Sequence, residues 1–448
     1  MNKKQLISDI FKAGTKAGMT DMEVYISDSE TFQVRISKQE IDGYEIAANA
    51  GLGFRGFYNG KIGYSYTEKI SDDSVEFLVR GAIENAEIND STDDDVIFEG
   101  SKKYTQVENL NPELEKVTEK EKIDFARALE KKALDMDSRI IASQYCMLGT
   151  GSGTSMLSNT KGLDLSDSGN YAYSFIMVLA AENDVYSSGY DFIIDNDFTK
   201  FNTDKMAKKA VGMALDFLDA KPIKSGSYEI VLDGMVSADL LSAVSGIFSA
   251  RTVQKNLSLL KGKLNEKVAS ECVTLVDDPF LKGGTKTASF DGEGVATRYK
   301  NIIEDGILKT YLHNLKSAGR DEVESTGNAS RGSYKSTIGI SAANFYFKSG
   351  EQSVEDLISG IEKGLHIVEL EGMHSGFNPT SGDFSLPAKG YLIENGKKVK
   401  AVNQITVSGN YFDVLKSITA VASDLKFAFG GGTGSPGIVI KELAVAGE

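Results

Sequence analysis

The chain has 448 residues, enough for two or three domains with sizeable cores, and its 41% hydrophobic and 25% charged residues are those of a soluble globular protein. A formal net charge of −15, from 49 Lys and Arg against 64 Asp and Glu, repels phosphate backbones and argues against direct nucleic-acid binding. Two cysteines, Cys146 and Cys272, exclude a disulfide framework and leave no C-x-x-C pair for zinc, which fits a reducing cytoplasm.

Residues 1–16 are broken by Ser8, Asp9 and Lys12, so they lack the unbroken apolar run of a signal peptide. The longest apolar run, 175–181, is far too short to span a bilayer. A cytoplasmic protein without a membrane segment is the expectation.

Leu6, Ile7, Ile10, Phe11, Ala13 and Ala17 fall at helical spacing and predict an amphipathic helix over 3–18. Alternation in 23–26 and 32–37 predicts two half-buried strands joined near Asp28-Ser29. Asn59-Gly60 closes a hairpin between 53–58 and 62–66, because a type I′ turn needs positive φ at both central residues. A helix from Ser71 places Val75, Leu78, Ala82, Ile83 and Ala86 on one face. Residues 88–117 are acid-rich and weakly periodic, a linker or long surface loop. Its Asp93-Asp94-Asp95 run lacks the spacing of a calcium loop and reads as a solvated charge run.

Thr118-x-x-Glu121 is a capping box that starts a helix to about residue 136. Segments 140–147, 163–165, 172–181 and 185–194 read as an antiparallel meander with turns at Gly151–Gly153 and Gly162. A helix over 203–219 follows. Pro222 and Ser225-Gly226-Ser227 mark a boundary between an N-terminal α+β region, 1–222, and a β-rich domain, 223–448. Subdomains at about 1–90 and 113–222 are one reading of the first region. Its two helix-plus-strands units suggest a pseudo-repeat, but no residue-level repeat is evident.

A strand over 228–232 turns at Asp233-Gly234 into a helix over 235–250, apolar at Leu240, Leu241, Val244 and Ile247. From Cys272, short β segments alternate with turns at Gly283-Gly284, Asp291-Gly292, Asp305-Gly306 and Asn395-Gly396, interrupted by a helix over 354–364. The expected fold class is α+β: antiparallel sheets with helices first, then a β-rich, barrel-like domain.

The densest chemistry lies in 372–410. Asn378-Pro379 and Ser381-Gly382-Asp383 break regular structure and make 373–384 an irregular loop, carried on the hairpin around Asn395-Gly396. This stretch, with Asp277-Asp278-Pro279, Phe290-Asp291-Gly292-Glu293-Gly294, Ser325-Thr326-Gly327-Asn328 and Ile405-Thr406-Val407-Ser408-Gly409-Asn410, resembles the TldD/PmbA family of metalloprotease-related proteins, in its PmbA (TldE) branch. The resemblance is specific over about 225–448 and looser before it. It implies processing of peptides and small unfolded proteins by a cytosolic TldD–TldE pair, a family also called modulator of DNA gyrase.

In TldD chains the helix near the start of this domain carries H-E-x-x-x-H, two imidazoles for zinc and a carboxylate as general base. The resemblance lays that motif over 242–247, with Ser242 and Ile247 at the histidine positions and Ala243 at the glutamate. The family's further ligand, a cysteine near the C-terminus, is missing from 429–437. No catalytic residue, no metal ligand and no cofactor are therefore expected in this chain, and zinc is expected in a TldD-like partner.

Other chemistry is weakly signalled. His313, His366 and His374 are the only histidines; the last two would share a strand face but for Gly372, and all three read as ordinary surface or core residues. Cys146 and Cys272 read as buried thiols. No Gly-x-Ser-x-Gly elbow is present, and the Gly430–Gly434 region lacks the Gly-Lys-Ser/Thr of a phosphate loop.

The resemblance leaves the walls of a peptide cleft. His374, Asn378, Thr380, Ser381 and Asp383, with Asn328 and Arg331 nearby, are its candidate residues; alternatively they buttress the β core through turn hydrogen bonds. The expected role is the non-catalytic partner of a TldD-like subunit. A stand-alone peptide-binding adaptor, a homodimer, or an independent metallopeptidase with an unrecognised site are the alternatives.

Overall fold

The computed structural model describes residues 3–71, 73–89 and 95–448; Asp93 and Asp94 of the acidic run lie outside them. Helix α1 (Lys3–Lys16) leads into β1 (Thr20–Ser37), β2 (Glu40–Tyr58), β3 (Lys61–Thr67) and α2 (Ser74–Ile88). After the single turn α3 (Pro112–Glu115), the pattern recurs as α4 (Glu119–Asp135), β4 (Ile140–Asn159), β5 (Asp164–Glu182), β6 (Val185–Asp195) and α5 (Thr203–Asp216). The capping box at Thr118 forms, its hydroxyl accepting from the Glu121 N–H while the Glu121 carboxylate accepts from the Thr118 N–H.

These two units build one antiparallel sheet in the order β3-β2-β1-β4-β5-β6. They meet where β1 pairs with β4, from Glu23 opposite Asn159 to Arg35 opposite Met147. One core, with Leu6, Ile10, Val24, Leu52, Phe54 and Leu78, lies under α1 and α2; another, with Leu129, Ile176, Val178, Ala210 and Val211, lies under α4 and α5.

Two expected turns are corrected here. Asp28-Ser29 and Gly151–Gly153 are interior to strands of 18 and 20 residues. They pair with each other, Asp28 opposite Thr154 and Ser29 opposite Gly153. Gly149 and Gly151 are small for another reason: a Cβ there would meet the rings of Tyr173 and Tyr171, their partners on β5, at 2.4 and 2.7 Å. The first hairpin instead turns at Lys38-Gln39, with φ of 54° and 65°.

The second half opens with β7 (Gly226–Leu232) and α6 (Gly234–Val244), which stops earlier than expected: a 3-10 turn follows at Ser245–Phe248, then α7 (Ala250–Gln254). Further elements are β8 (Leu275–Asp278), β9 (Lys300–Glu304), β10 (Ile307–Leu308), α8 (Leu315–Arg320), β11 (Ala329–Ser330), β12 (Gly339–Ile340), β13 (Asn344–Phe347), α9 (Val354–Ser359) and β14 (Lys363–Leu370). The chain ends with α10 (Met373–Gly376), β15 (Asp383–Glu394), β16 (Lys397–Asn410), α11 (Tyr411–Ser417), β17 (Ile418–Val421), β18 (Lys426–Phe427), β19 (Thr433–Ser435) and β20 (Ile438–Ala446). Strands β16-β15-β14-β7-β20 form a sheet that closes on itself where β20 also pairs with β16, giving the barrel-like domain. A second sheet, β10-β9-β8-β13-β19-β18, packs beside it over a core that includes Leu240, Leu241, Phe248, Phe345, Leu365 and Val407.

Candidate functional site

Helix α6 follows directly from a barrel strand. Asp233 caps it, its Oδ1 accepting from the Met235 N–H at 3.0 Å. Val236, Leu240, Leu241 and Val244 are buried, which leaves Asp239 and Ser242 exposed and Ala243 half-buried. Residues three and four apart share a helix face, so Asp239, Ser242 and Ala243 line one surface. The C-terminal glycine-rich segment comes to this helix, the Ser435 hydroxyl donating to that of Ser237 at 2.8 Å. The two stretches from which the resemblance would draw metal ligands are therefore adjacent.

Opposite α6 stands the N-terminal sheet. Phe429, half exposed, sets its ring edge against Phe192 at 5.0 Å and Phe175 at 5.6 Å, and Phe175 stacks on Tyr190. Burial and the nearby carboxylates of Glu369, Asp239 and Asp233 push the Tyr190 phenol up, so it stays protonated. Burial pushes Asp239 up to about 6, although its side chain also reaches solvent.

The groove continues into a cavity of 530 Å³ between α5 and the barrel, lined among others by Tyr190, Lys208, Met213, Asp233, Tyr391 and Lys426. Burial opposes the Asp233 carboxylate, but Lys426, 2.7 Å away, holds its pKa below the usual range. Burial likewise raises Glu369, which accepts from Lys389 at 2.9 Å.

Zinc does not fit here. Among the described residues no three His, Cys, Asp or Glu side chains are grouped to hold a metal ion. Ser242 points to solvent while Ile247, within the 3-10 turn, is packed in the core, so these two positions do not face one point.

The histidines are dispersed. His366 is buried on β14, both ring nitrogens lack a hydrogen-bond partner, and burial pulls its pKa down to about 4. Strand β14 ends at Leu370 and His374 lies exposed on α10, so the two do not share a strand face. His313 is buried against Ser317. Cys146 is a buried thiol pushed up to about 12 by burial. Cys272 corrects the expectation: it is exposed, in a loop ahead of β8.

The cleft candidates separate into two places. Asn378, Ser381 and Asp383 close a local turn. The Asn378 Oδ1 accepts from the N–H groups of Thr380 and Ser381 at 2.9 and 3.2 Å, and Asn410 donates to Asp383 and to the Ser381 carbonyl, both at 2.8 Å. Hydrogen bonds from Asn410 and Ser381 lower the Asp383 pKa. His374 and Thr380 are exposed on the same loop.

Asn328 is buried elsewhere, donating to Asp277 at 2.7 Å and accepting from Thr326 at 2.7 Å and Lys300 at 3.2 Å. Arg331 donates to the Gly292 carbonyl at 2.7 Å and to Glu23, and its guanidinium lies over the Tyr25 ring. Neither shares a hydrogen bond with the 373–384 loop. Sequence reasoning missed Asp239, Tyr190, Glu369, Lys426 and Phe429 as neighbours, because they come from α6, β6, β14, β18 and the segment after it and only the tertiary fold brings them together.

The arrangement is a two-part scaffold in which, among the described residues, no metal-ligand set is grouped. Models of the PmbA/TldA metallopeptidase match in three parts, domain 1 at 22–86, the central domain at 112–218 and the C-terminal domain at 225–447, and the chain belongs to this PmbA/TldD family. It is 26% identical to a metalloprotease PmbA homolog of Haemophilus influenzae, covering 99% of this chain and 96% of that one. A crystal structure from Thermotoga maritima, described as a candidate modulator of a DNA gyrase, matches with TM-score 0.93 and 32% identity over 99% of this chain and 100% of that one. TldE from Thermococcus kodakarensis, 23% identical over 99% of this chain and 100% of its own, shares the fold with TM-score 0.91.

Proposed function

We propose that this chain is the metal-free subunit of a two-subunit peptidase, shaping access of peptides to zinc held by a TldD-like partner. The observation that carries the reading is the stretch 242–247, where α6 presents Ser242 to solvent with Ala243 half-buried and the following 3-10 turn buries Ile247. A chain that retains a peptidase frame without ligands for the ion contributes walls rather than the activated water. The groove supplies an aromatic side at Phe175, Tyr190, Phe192 and Phe429 and polar groups at Asp239, Glu369 and Lys389 for an extended peptide. The loop bearing His374, Asn378, Thr380, Ser381 and Asp383 is a second candidate contact for peptide or partner.

Mixing the purified chain with a metal-loaded TldD-like protein tests this. The mixture should cleave unfolded peptides at rates that neither chain reaches alone, and a partner stripped of its metal ligands should abolish them. Metal-dependent cleavage by this chain alone would overturn the reading.

A further inference from the structure

Strand β2 is 19 residues long, but β3 covers its outer edge only from Leu52 to Tyr58. From Glu40 to Ala50 it pairs with β1 on one side, and among the described residues no strand pairs with the other. Nearly every side chain there is exposed, including Ile41 at 42%, Tyr44 at 47% and Ile46 at 59%. Natural edge strands are commonly blunted by Lys, Pro, bulges or a covering loop. This one has no Lys and no Pro from Glu40 to Gly51, and its pairing with β1 is unbroken from Gly43 to Ala50. Past a register shift between Ile41 and Gly43, the eight residues Gly43–Ala50 at about 3.4 Å each give a regular open backbone ladder on the order of 27 Å long.

The edge is acidic. Glu40, Asp42 and Glu45 lie on it, and Arg35 of β1 is committed to Asp42 at 2.5 Å. Beside it a cavity of 350 Å³ is lined by Phe32, Ile46, Glu30, Glu115 and Glu119, with Lys122 as its basic residue. Lys122 lies over the Phe32 ring and donates to Thr150. A strand that added here would meet exposed Ile and Tyr side chains alternating with carboxylates. A second copy of this chain would bring the same acids and a net charge of −15.

We infer that the outer edge of Glu40–Ala50 is a docking site for an extended, cationic segment of another protein, which adds to the sheet as a seventh strand. Main-chain hydrogen bonds to the open ladder hold it, and its Lys or Arg side chains meet Asp42, Glu45, Glu30 and Glu119. This does not rest on the subunit reading.

The test uses the full chain and synthetic twelve-residue peptides that alternate Val or Thr with Lys, or with Glu. With the Lys peptide, alternate amides across 40–51 should exchange at least about tenfold more slowly, because only every second N–H points outward. Asp42→Lys with Glu45→Lys should weaken that peptide at least about tenfold. Ile46→Lys, a separate exposed change, should weaken it as well. Exchange elsewhere in the sheet reports that each variant is folded. Equal protection by the Glu peptide, binding with no protection at 40–51, or protection that grows with protein concentration in the absence of peptide would each overturn the inference.

Discussion

Two clusters of charged and polar side chains in this molecule differ in what they serve. Around Glu23 the groups are sealed: Arg55 donates twice to its carboxylate, at 2.8 and 3.0 Å, and Arg331 donates to it from the C-terminal half. Burial opposes the Glu23 charge, but the two guanidiniums hold its pKa below the usual carboxylate range. Around α6 the groups are open: the side chains of Asp239 and Ser242 are exposed. Of the residues that carry the family resemblance, Asp277, Phe290 to Gly294 and Asn328 lie with the first kind, Asn328 donating to Asp277, Gly292 accepting from Arg331 and Glu293 close to Arg55. For these residues a likeness in motif is a likeness of scaffold.

Breaking the sealed cluster should cost most. Glu23→Ala leaves two buried guanidiniums without their carboxylate, and urea denaturation should show a loss of roughly 3–5 kcal/mol. A loss below about 1 kcal/mol would mean that water enters the network and that the contrast is wrong.

The pH dependence of stability sharpens the same contrast. Glu293 sits beside this network, where burial foremost pushes its carboxyl from 4.5 up to about 7, and Asp291 is pushed from 3.8 up to about 6. Each carboxyl binds its proton more tightly in the folded chain than in the unfolded one. The resulting stabilisation is whole below the unfolded pKa and disappears as pH rises through the folded one. For Glu293 it amounts to roughly 3 kcal/mol. Urea midpoints should fall between about pH 4.5 and 7, and Glu293→Gln should flatten the decline.

At the groove the effects should be small. Ser242→Ala is expected to change stability by less than about 0.5 kcal/mol. Asp239 should titrate with a midpoint near 6, seen by isotope-edited infrared as a carboxyl band absent from Asp239→Asn. Smallest of all, a thiol reagent should label the native chain at Cys272 and leave Cys146 unreacted until unfolding, since only the former is exposed.

What could be read from the residues followed how local the signal was. Asn59-Gly60 and Asn395-Gly396 sit at hairpin turns with φ near 50° and 75°, because the turn is encoded in two adjacent residues. The capping box at Thr118 was legible for the same reason. Asp28-Ser29 and Gly151–Gly153 were misread, since their turn-like composition is overridden by a partner some 120 residues away and by tyrosine rings on β5. That 242–247 holds neither His nor Glu is plain from the residues themselves, but what stands opposite them in space is not. Tyr190 and Phe192 belong to an ordinary alternating strand, and nothing near them in the chain signals that α6 will face them.

The position of β1 between β2 and β4 bears on how the nascent polypeptide acquires its shape. A hairpin finished by residue 58 offers one flank of β1 to a segment that leaves the ribosome only after residue 140. Until then the amides and carbonyls along that edge of β1 have no strand to pair with. Translation should therefore pass through an interval in which chaperones bind, closed by the arrival of β4.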